Sequence, residues 1–368
     1  MVIGIVISGL EIGGAEYSLV KLLNVIAPYC RKVLIICLSS SDRSIIEQLP
    51  KGVQVIELGL TSKNPIAWYK SYFHLKNIRP KLIIGWGTYA NFIAIIVSFL
   101  LRDSKILISE RLYVPKMFYR ESSVIRRKIV FILMRLLYPK ADIVTANSLK
   151  NVTFLRRFIG GKPRYKLLKN TININECIEK SNSLIESELR AMKGVKILAL
   201  GRLDYQKGFD NLLHAFSIIS KIKTWNLVIV GDGPEKRYLQ ELSKSLGVSN
   251  NVHFVPKAVN PFPYYKWADF VVAPSRVEGF PNAILESMSM GTPVICTNFK
   301  TGAAELTHNG KYGMLVPMND NKKLAEAMLS LGQDIDKIKR LGLASQKISF
   351  EMYDAGIILD HYLNCLEL

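Results

Sequence analysis

The stretch "VKILALGRLDYQKGFDNLLHAFSIISKIKTWNLVIVG", Val195 to Gly231, decides the fold. Its two ends, "VKILALG" and "WNLVIVG", are short apolar runs without alternation, the pattern of strands buried on both faces of a parallel sheet. Between them "GFDNLLHAFSIISKI" places its apolar residues at helical spacing. Strand, loop, helix and strand in this order form the repeating unit of an α/β sheet.

The alternation extends outwards in both directions. Downstream, "PEKRYLQELSKSLG" opens on proline and closes at Gly247, and "NVHFV", "DFVVAPS" and "TPVICT" add further buried strands. Upstream, "VIGIVIS", "KVLIICLSS", "VQVIELG", "KLIIGWG", "KILISE" and "ADIVTANS" repeat the plan. Both halves therefore read as α/β, doubly wound, Rossmann-like domains, and 368 residues suit two of them. We expect an N-terminal domain over 1–170, a linker over 171–194 and a C-terminal domain over 195–345. The tail 346–368 carries an amphipathic helix pattern that is a candidate to cross back onto the first domain.

Composition narrows the class. Hydrophobic residues make up 49% and charged residues 21%, which describes a globular chain. The apolar run "NFIAIIVSFLL" (Asn91 to Leu101) falls short of the ~20 residues that span a bilayer. The start, "MVIGIVISGLEIGGAE", lacks a basic n-region and a cleavage site, so it reads as a first strand and the protein is expected to remain cytoplasmic. Five scattered cysteines without a CxxC pair, and five scattered histidines, argue against a disulfide framework and a metal site. The net charge of +19 is lopsided: residues 1–170 hold 27 lysines and arginines against 9 acidic residues.

In doubly wound sheets ligands bind at the carboxyl ends of the strands, so chemistry belongs in the loops that follow them. After Leu200 comes "GRLDYQKG", in which Arg202 and Lys207 flank a glycine-bounded turn and suit phosphate oxygens. After Ser275 comes "RVEGFPNAILESMSMG", where Gly279 permits close backbone approach and Pro281 opens a helix. The N–H groups of Phe280, Asn282 and Ala283 are expected to face an anion there. Glu278 precedes this helix and Glu286 lies about one and a half turns into it. A loop beside an anion-binding helix start is an odd place for the acid and base of a glycosidase. Carboxylates that accept hydrogen bonds from hydroxyl groups fit better, and a solvated loop residue and a salt-bridged helix residue are the alternative for Glu278 and Glu286 taken singly.

"EGFPNAILE" is similar to the E-x7-E motif of glycosyltransferase family 4, and "GRLDYQKG" resembles its G-R-x(4)-K-G. "GLEIGGAEYSLVKLL", "VIVGDGPEKRYLQEL", "NPFPYYKWADFVVAPS", "GTPVICTN" and "GAAELTHNGKYGMLVP" resemble further blocks of that family in family order. The resemblance implies a GT-B fold, with two Rossmann-like domains facing a central cleft, and a retaining transfer that needs no metal ion or other cofactor. It implies that Arg202 and Lys207 hold the donor diphosphate, Glu286 the ribose and Glu278 the transferred sugar. The backbone of Gly279, Phe280, Pro281 and Asn282 would meet sugar or phosphate, and Gly13 and Gly14 would approach the diphosphate from the other domain. A simple strand-to-helix turn is the alternative for those two glycines.

The histidine that many members carry after an N-domain strand has no counterpart. Trp86, Tyr89, Glu110 and Arg111 stand at the comparable strand exits and are candidates for acceptor or sugar contacts. The blocks are closest to enzymes of bacterial surface polysaccharide and lipid-linked oligosaccharide assembly, which implies a UDP-sugar donor and a polyprenyl-diphosphate-linked glycan acceptor. The basic first half, with "YRESSVIRRKIVFILMRLLYPK" (Tyr119 to Lys140), fits contact with an anionic membrane surface at the inner face of the cytoplasmic membrane, or simply a solvated basic face. No nucleic-acid motif accompanies that charge. A catalytically idle nucleotide-sugar or glycan-binding protein, and a glycosyltransferase with a soluble acceptor, are the alternative functions.

Overall fold

The structure, a computed structural model, describes all residues except 12, 62, 63, 65, 116–122, 162, 300 and 368. The chain forms two compact units, Met1–Thr171 with Ala355–Leu368, and Ile172–Asp354.

The first unit is built on seven strands: β1 (Val2–Ile7), β2 (Lys32–Cys37), β3 (Val53–Glu57), β4 (Leu82–Trp86), β5 (Lys105–Glu110), β6 (Ile143–Ala146) and β7 (Arg164–Leu167). They lie in the order β3-β2-β1-β4-β5-β6-β7, with parallel pairing throughout. Strands β1, β2 and β4 consist almost wholly of buried Val, Ile and Leu, because each presents side chains to a core on both faces. One core packs the helix Gly14–Ile26 and the last helix, Leu359–Leu366, against the sheet. The other packs the helices Ala67–Ile78, Thr88–Leu101 and Val124–Leu137.

The second unit repeats the plan with six strands: β8 (Lys196–Leu200), β9 (Asn226–Val230), β10 (Val252–Val255), β11 (Phe270–Ala273), β12 (Val294–Thr297) and β13 (Met314–Val316). Their order is β10-β9-β8-β11-β12-β13. Both sheets therefore step one way from their first strand and then reverse, which is the doubly wound order, and each has a switch point beside that strand. The expected α/β architecture of two Rossmann-like domains is what the chain adopts.

The structure corrects two boundaries and adds two strands. The interval 171–194 is not a linker, since it holds the helices Ile174–Lys180 and Ser187–Arg190 and belongs to the second unit from Ile172 onwards. The tail is not one helix: Ile335–Tyr353 is a long helix of the second unit, and the chain leaves that unit at Asp354. Leu359–Leu366 then joins the first unit, where Tyr362 donates to the Lys169 carbonyl at 2.7 Å and Glu367 bridges Lys105 at 3.0 Å. Finally, the edge strands β7 and β13 lie outside the apolar runs read from the sequence.

Gly231, at the end of β9, packs so closely on β8 that a methyl group there would collide with the Gly201 carbonyl oxygen. Gly231→Ala is expected to destabilise the second unit by ~1–3 kcal/mol, the cost typical of overpacking. Denaturant unfolding would show this as an earlier transition, and an unchanged midpoint would contradict the packing.

Candidate functional site

Strands β8 and β11 are neighbours at the switch point of the second unit, so the loops that leave them emerge side by side. In the first loop the Asp204 carboxylate accepts from the Gln206 N–H at 3.1 Å and caps the short turn Tyr205–Lys207. Gly208 follows with φ 68°, and a side chain there would strike the Pro274 carbonyl oxygen. The two loops are joined directly where the Arg276 N–H donates to the Gln206 carbonyl at 2.7 Å.

This packing sets Lys207 Nζ 2.5 Å from Glu278 Oε1. Both side chains are mostly shielded, at 24% and 14% exposure. Ser275 Oγ donates to the same carboxylate oxygen at 2.8 Å, and Thr301 Oγ1 donates to the Glu278 carbonyl at 2.5 Å. Read as separate contacts for phosphate and sugar, these residues form one charge-assisted pair. Arg202 is different: its side chain is 63% exposed, with Nε 3.7 Å from Asp204.

Pro281 precedes the helix Asn282–Ser289, which ends before Gly291 at φ 73°. Of the N–H groups expected to face an anion, that of Asn282 already donates to the Phe280 carbonyl at 3.1 Å. The Phe280 side chain is buried and packs on Tyr353, so this residue can offer a ligand only its backbone. Glu286 is half-buried, and one of its carboxylate oxygens accepts from the hydroxyl of the fully buried Tyr265 at 3.1 Å. Burial and the facing Glu286 carboxylate push that hydroxyl well above the usual tyrosine range, so it stays a proton donor. Tyr265 and Arg276, which the sequence alone does not single out, adjoin these residues through Glu286 and Tyr205.

The first unit corrects most of the acceptor candidates. Trp86 is buried, donates from Nε1 to the Ala15 carbonyl at 2.9 Å, and lies under the Arg111 guanidinium. Arg111 is buried as well; it donates to Ser18 Oγ at 2.9 Å and to Asn170 Oδ1. Glu110, also buried, accepts from Thr88 Oγ1 and Asn91 Nδ2 at 3.0 Å each and from the Tyr138 hydroxyl. These three side chains are buried within the unit and offer an acceptor almost no surface. Tyr89 is half-buried and edge-on to Phe92. Gly13 caps the helix Gly14–Ile26 with extended backbone, and the Glu16 carboxylate sits where a Gly13 side chain would be. Among the described residues no group of three His, Cys, Asp or Glu stands together that could hold a metal ion.

The family described as Glycosyl transferases group 1 matches residues 194–334. The chain is 27% identical, over 96% of its own length and 95% of the relative's, to the N-acetylgalactosamine-N,N'-diacetylbacillosaminyl-diphospho-undecaprenol 4-alpha-N-acetylgalactosaminyltransferase of Campylobacter jejuni. It is 26% identical, over 89% and 88% of the two chains, to a second α-1,4-N-acetyl-D-galactosaminyltransferase of that organism whose name carries a diNAcBac-PP-undecaprenol glycan. Among solved structures, Anabaena HepE in complex with UDP-glucose superposes with a TM-score of 0.82 at 21% identity, covering 100% of this chain and 99% of that one. WaaG, a glycosyltransferase involved in lipopolysaccharide biosynthesis, superposes with a TM-score of 0.73 at 15% identity, covering 99% of each chain. These likenesses show the GT-B fold.

Burial raises the Glu110 carboxyl to about 7, against the pull of its hydrogen bonds from Tyr138, Thr88 and Asn91 and of Arg111. A carboxyl whose pKa is higher folded than unfolded stabilises the fold while it is protonated, and that contribution is lost as pH rises through the folded value. The stability of the wild type relative to Glu110→Gln should therefore fall between about pH 5 and pH 7, by ~1.4 kcal/mol for each unit of raised pKa that is realised. Thermal unfolding of the two proteins across that range checks it, and parallel pH profiles would contradict it.

Proposed function

We propose, from the match of residues 194–334 to the Glycosyl transferases group 1 family and the GT-B fold of the whole chain, that the protein is a retaining glycosyltransferase using a UDP-sugar. Its reaction would move a hexose or N-acetylhexosamine onto a polyprenyl-diphosphate-linked glycan in bacterial surface polysaccharide or oligosaccharide assembly. The observation that carries this reading is the Lys207–Glu278 pair at the switch point, with Glu286 on the adjoining helix. The similarity to transferases named for diphospho-undecaprenol glycans supports the acceptor class.

In this reading the bond between the anomeric carbon and the diphosphate breaks, and the departing oxygen gains negative charge. The Lys207 ammonium and the Arg202 guanidinium meet that charge, as does the start of the helix Asn282–Ser289, so that no metal ion is needed. Glu278 accepts hydrogen bonds from the sugar, while Glu286, oriented by Tyr265, accepts them from the ribose. Retention follows when the acceptor hydroxyl attacks from the face the diphosphate leaves, its proton passing to the departing phosphate oxygen.

The acceptor and the membrane belong to the basic first unit. Residues 119–122 of its basic segment lie outside the described residues, but the helix Val124–Leu137 is clear. Ile125, Ile129, Ile132 and Leu136 recur every three or four residues and all stand exposed, Ile125 at 71%. Arg126, Arg127, Lys128 and Arg135 share this helix. An exposed apolar stripe on a basic helix suits the surface of an anionic bilayer, here the inner face of the cytoplasmic membrane. No helix among the described residues is long and apolar enough to cross a membrane.

Two outcomes test these assignments. Glu286→Ala should weaken UDP binding about tenfold by calorimetry, the scale of a lost charge-assisted hydrogen bond, and unchanged binding would overturn its ribose role. Replacing Ile129 and Ile132 with aspartate should abolish flotation with anionic vesicles at low salt while leaving UDP binding intact. A wild type that does not float would favour a soluble acceptor.

A further inference from the structure

Donor binding, as assigned above, gives Arg276 no part, yet its guanidinium is the most heavily engaged in the second unit. Nη1 donates to Asp210 Oδ1 and to the Tyr205 carbonyl, both at 2.8 Å, and Nη2 donates to Asp210 Oδ2 at 2.6 Å. Nε donates to Asn319 Oδ1 at 3.0 Å, and the group lies 4.2 Å from the centre of the Tyr205 ring. Its side chain is only 12% exposed.

Four of its five N–H donors are thus committed inside the unit and little of the side chain is exposed, which leaves a phosphate little to bind. Direct contact with the donor is therefore the poorer role. The partners themselves suggest another. Tyr205 belongs to the turn that carries Lys207, Asp210 begins the helix after that turn, and Arg276 lies two residues before Glu278. Glycines at 201, 208 and 279 leave both loops with pliant backbone. Besides the Lys207–Glu278 pair itself, the Arg276 fork is the side-chain tie found between the two loops among the described residues.

We propose that Arg276 is a positioning residue: its fork on Asp210 and its stacking on Tyr205 hold the two loops in register, and so place Lys207 Nζ on Glu278 for the donor. This inference rests on the donor-site reading for its purpose, but the placement of Lys207 can be tested without any donor. Lysine in place of arginine would keep the charge and lose the planar fork, so Arg276→Lys should repair the defect of Arg276→Met only in part.

The test is limiting reductive methylation of the full chain, read at Lys207 by peptide mass spectrometry against the exposed Lys347. In Arg276→Met, Lys207 should be modified about fivefold faster than in the wild type, the order expected when a partly shielded ion pair is lost, with Arg276→Lys in between. Wild-type reactivity at Lys207 in a cooperatively folding Arg276→Met overturns the proposal. If that variant fails to fold, Asp210→Asn makes the same comparison. A wild type that does not bind UDP defeats the donor-site reading but leaves the Lys207 result standing. Where a donor turns over, Arg276→Met should lose about tenfold in kcat with a smaller rise in KM, as expected of a group that aligns the transition state. A raised KM with kcat intact overturns the positioning role.

Discussion

The contact between Lys207 and Glu278 joins residues 71 apart in sequence, and it exists because β8 and β11 are neighbours. A parallel sheet delivers its loops to one end, and the reversal of strand order leaves two of them facing each other with no helix between. Everything assigned to the site hangs on those two loops: the turn with Arg202 and Lys207 on one, and Glu278 with the helix to Glu286 on the other. As a stabilising interaction such a pair contributes little, on the order of 0–1 kcal/mol when partly exposed. Its importance is placement. A cation and a carboxylate fixed together can serve a leaving phosphate and a sugar hydroxyl without reorganising when charge develops.

The first unit uses its polar residues differently. Glu110, Arg111, Asn91, Tyr138 and Asn170 are buried at the strand ends and largely satisfy one another. Burial depresses the Arg111 guanidinium to about 10, although Tyr362, Glu110 and Glu16 pull it upwards. A buried network of this kind rigidifies the end of a sheet when its members are paired, and beside it Tyr362 of the last helix donates to the Lys169 carbonyl. Its surface instead carries the basic, apolar-striped helix Val124–Leu137.

How much of this was legible in sequence follows from the range of each interaction. Central strands announce themselves because burial on both faces fills them mainly with Val, Ile and Leu, as in β1 and β9. The edge strands β7 and β13 do not, since they are short, half-exposed and paired on one side only. Glycine and charge placed in loops after strands pointed to Arg202, Lys207 and Glu278. Their mutual pairing was not legible, because it depends on which strands are neighbours. Tyr265 looked like one aromatic among several, and its bond to Glu286 spans 21 residues; Arg276 reaches Asp210 across 66. Glu110 and Arg111 misled for the opposite reason: charged residue types imply exposure, and only tertiary packing buries them.

The central claim is that the carboxyl end of the second sheet is a uridine nucleotide-sugar site, and ligand-linked stability tests it most directly. A ligand at a hundred times its Kd stabilises the fold by ~2.7 kcal/mol if it binds only the native state. UDP and UDP-sugars should raise the unfolding midpoint of the full chain, adenine nucleotides should not, and Lys207→Ala should remove most of the shift. Equal shifts with every nucleotide, or none with UDP, would contradict it.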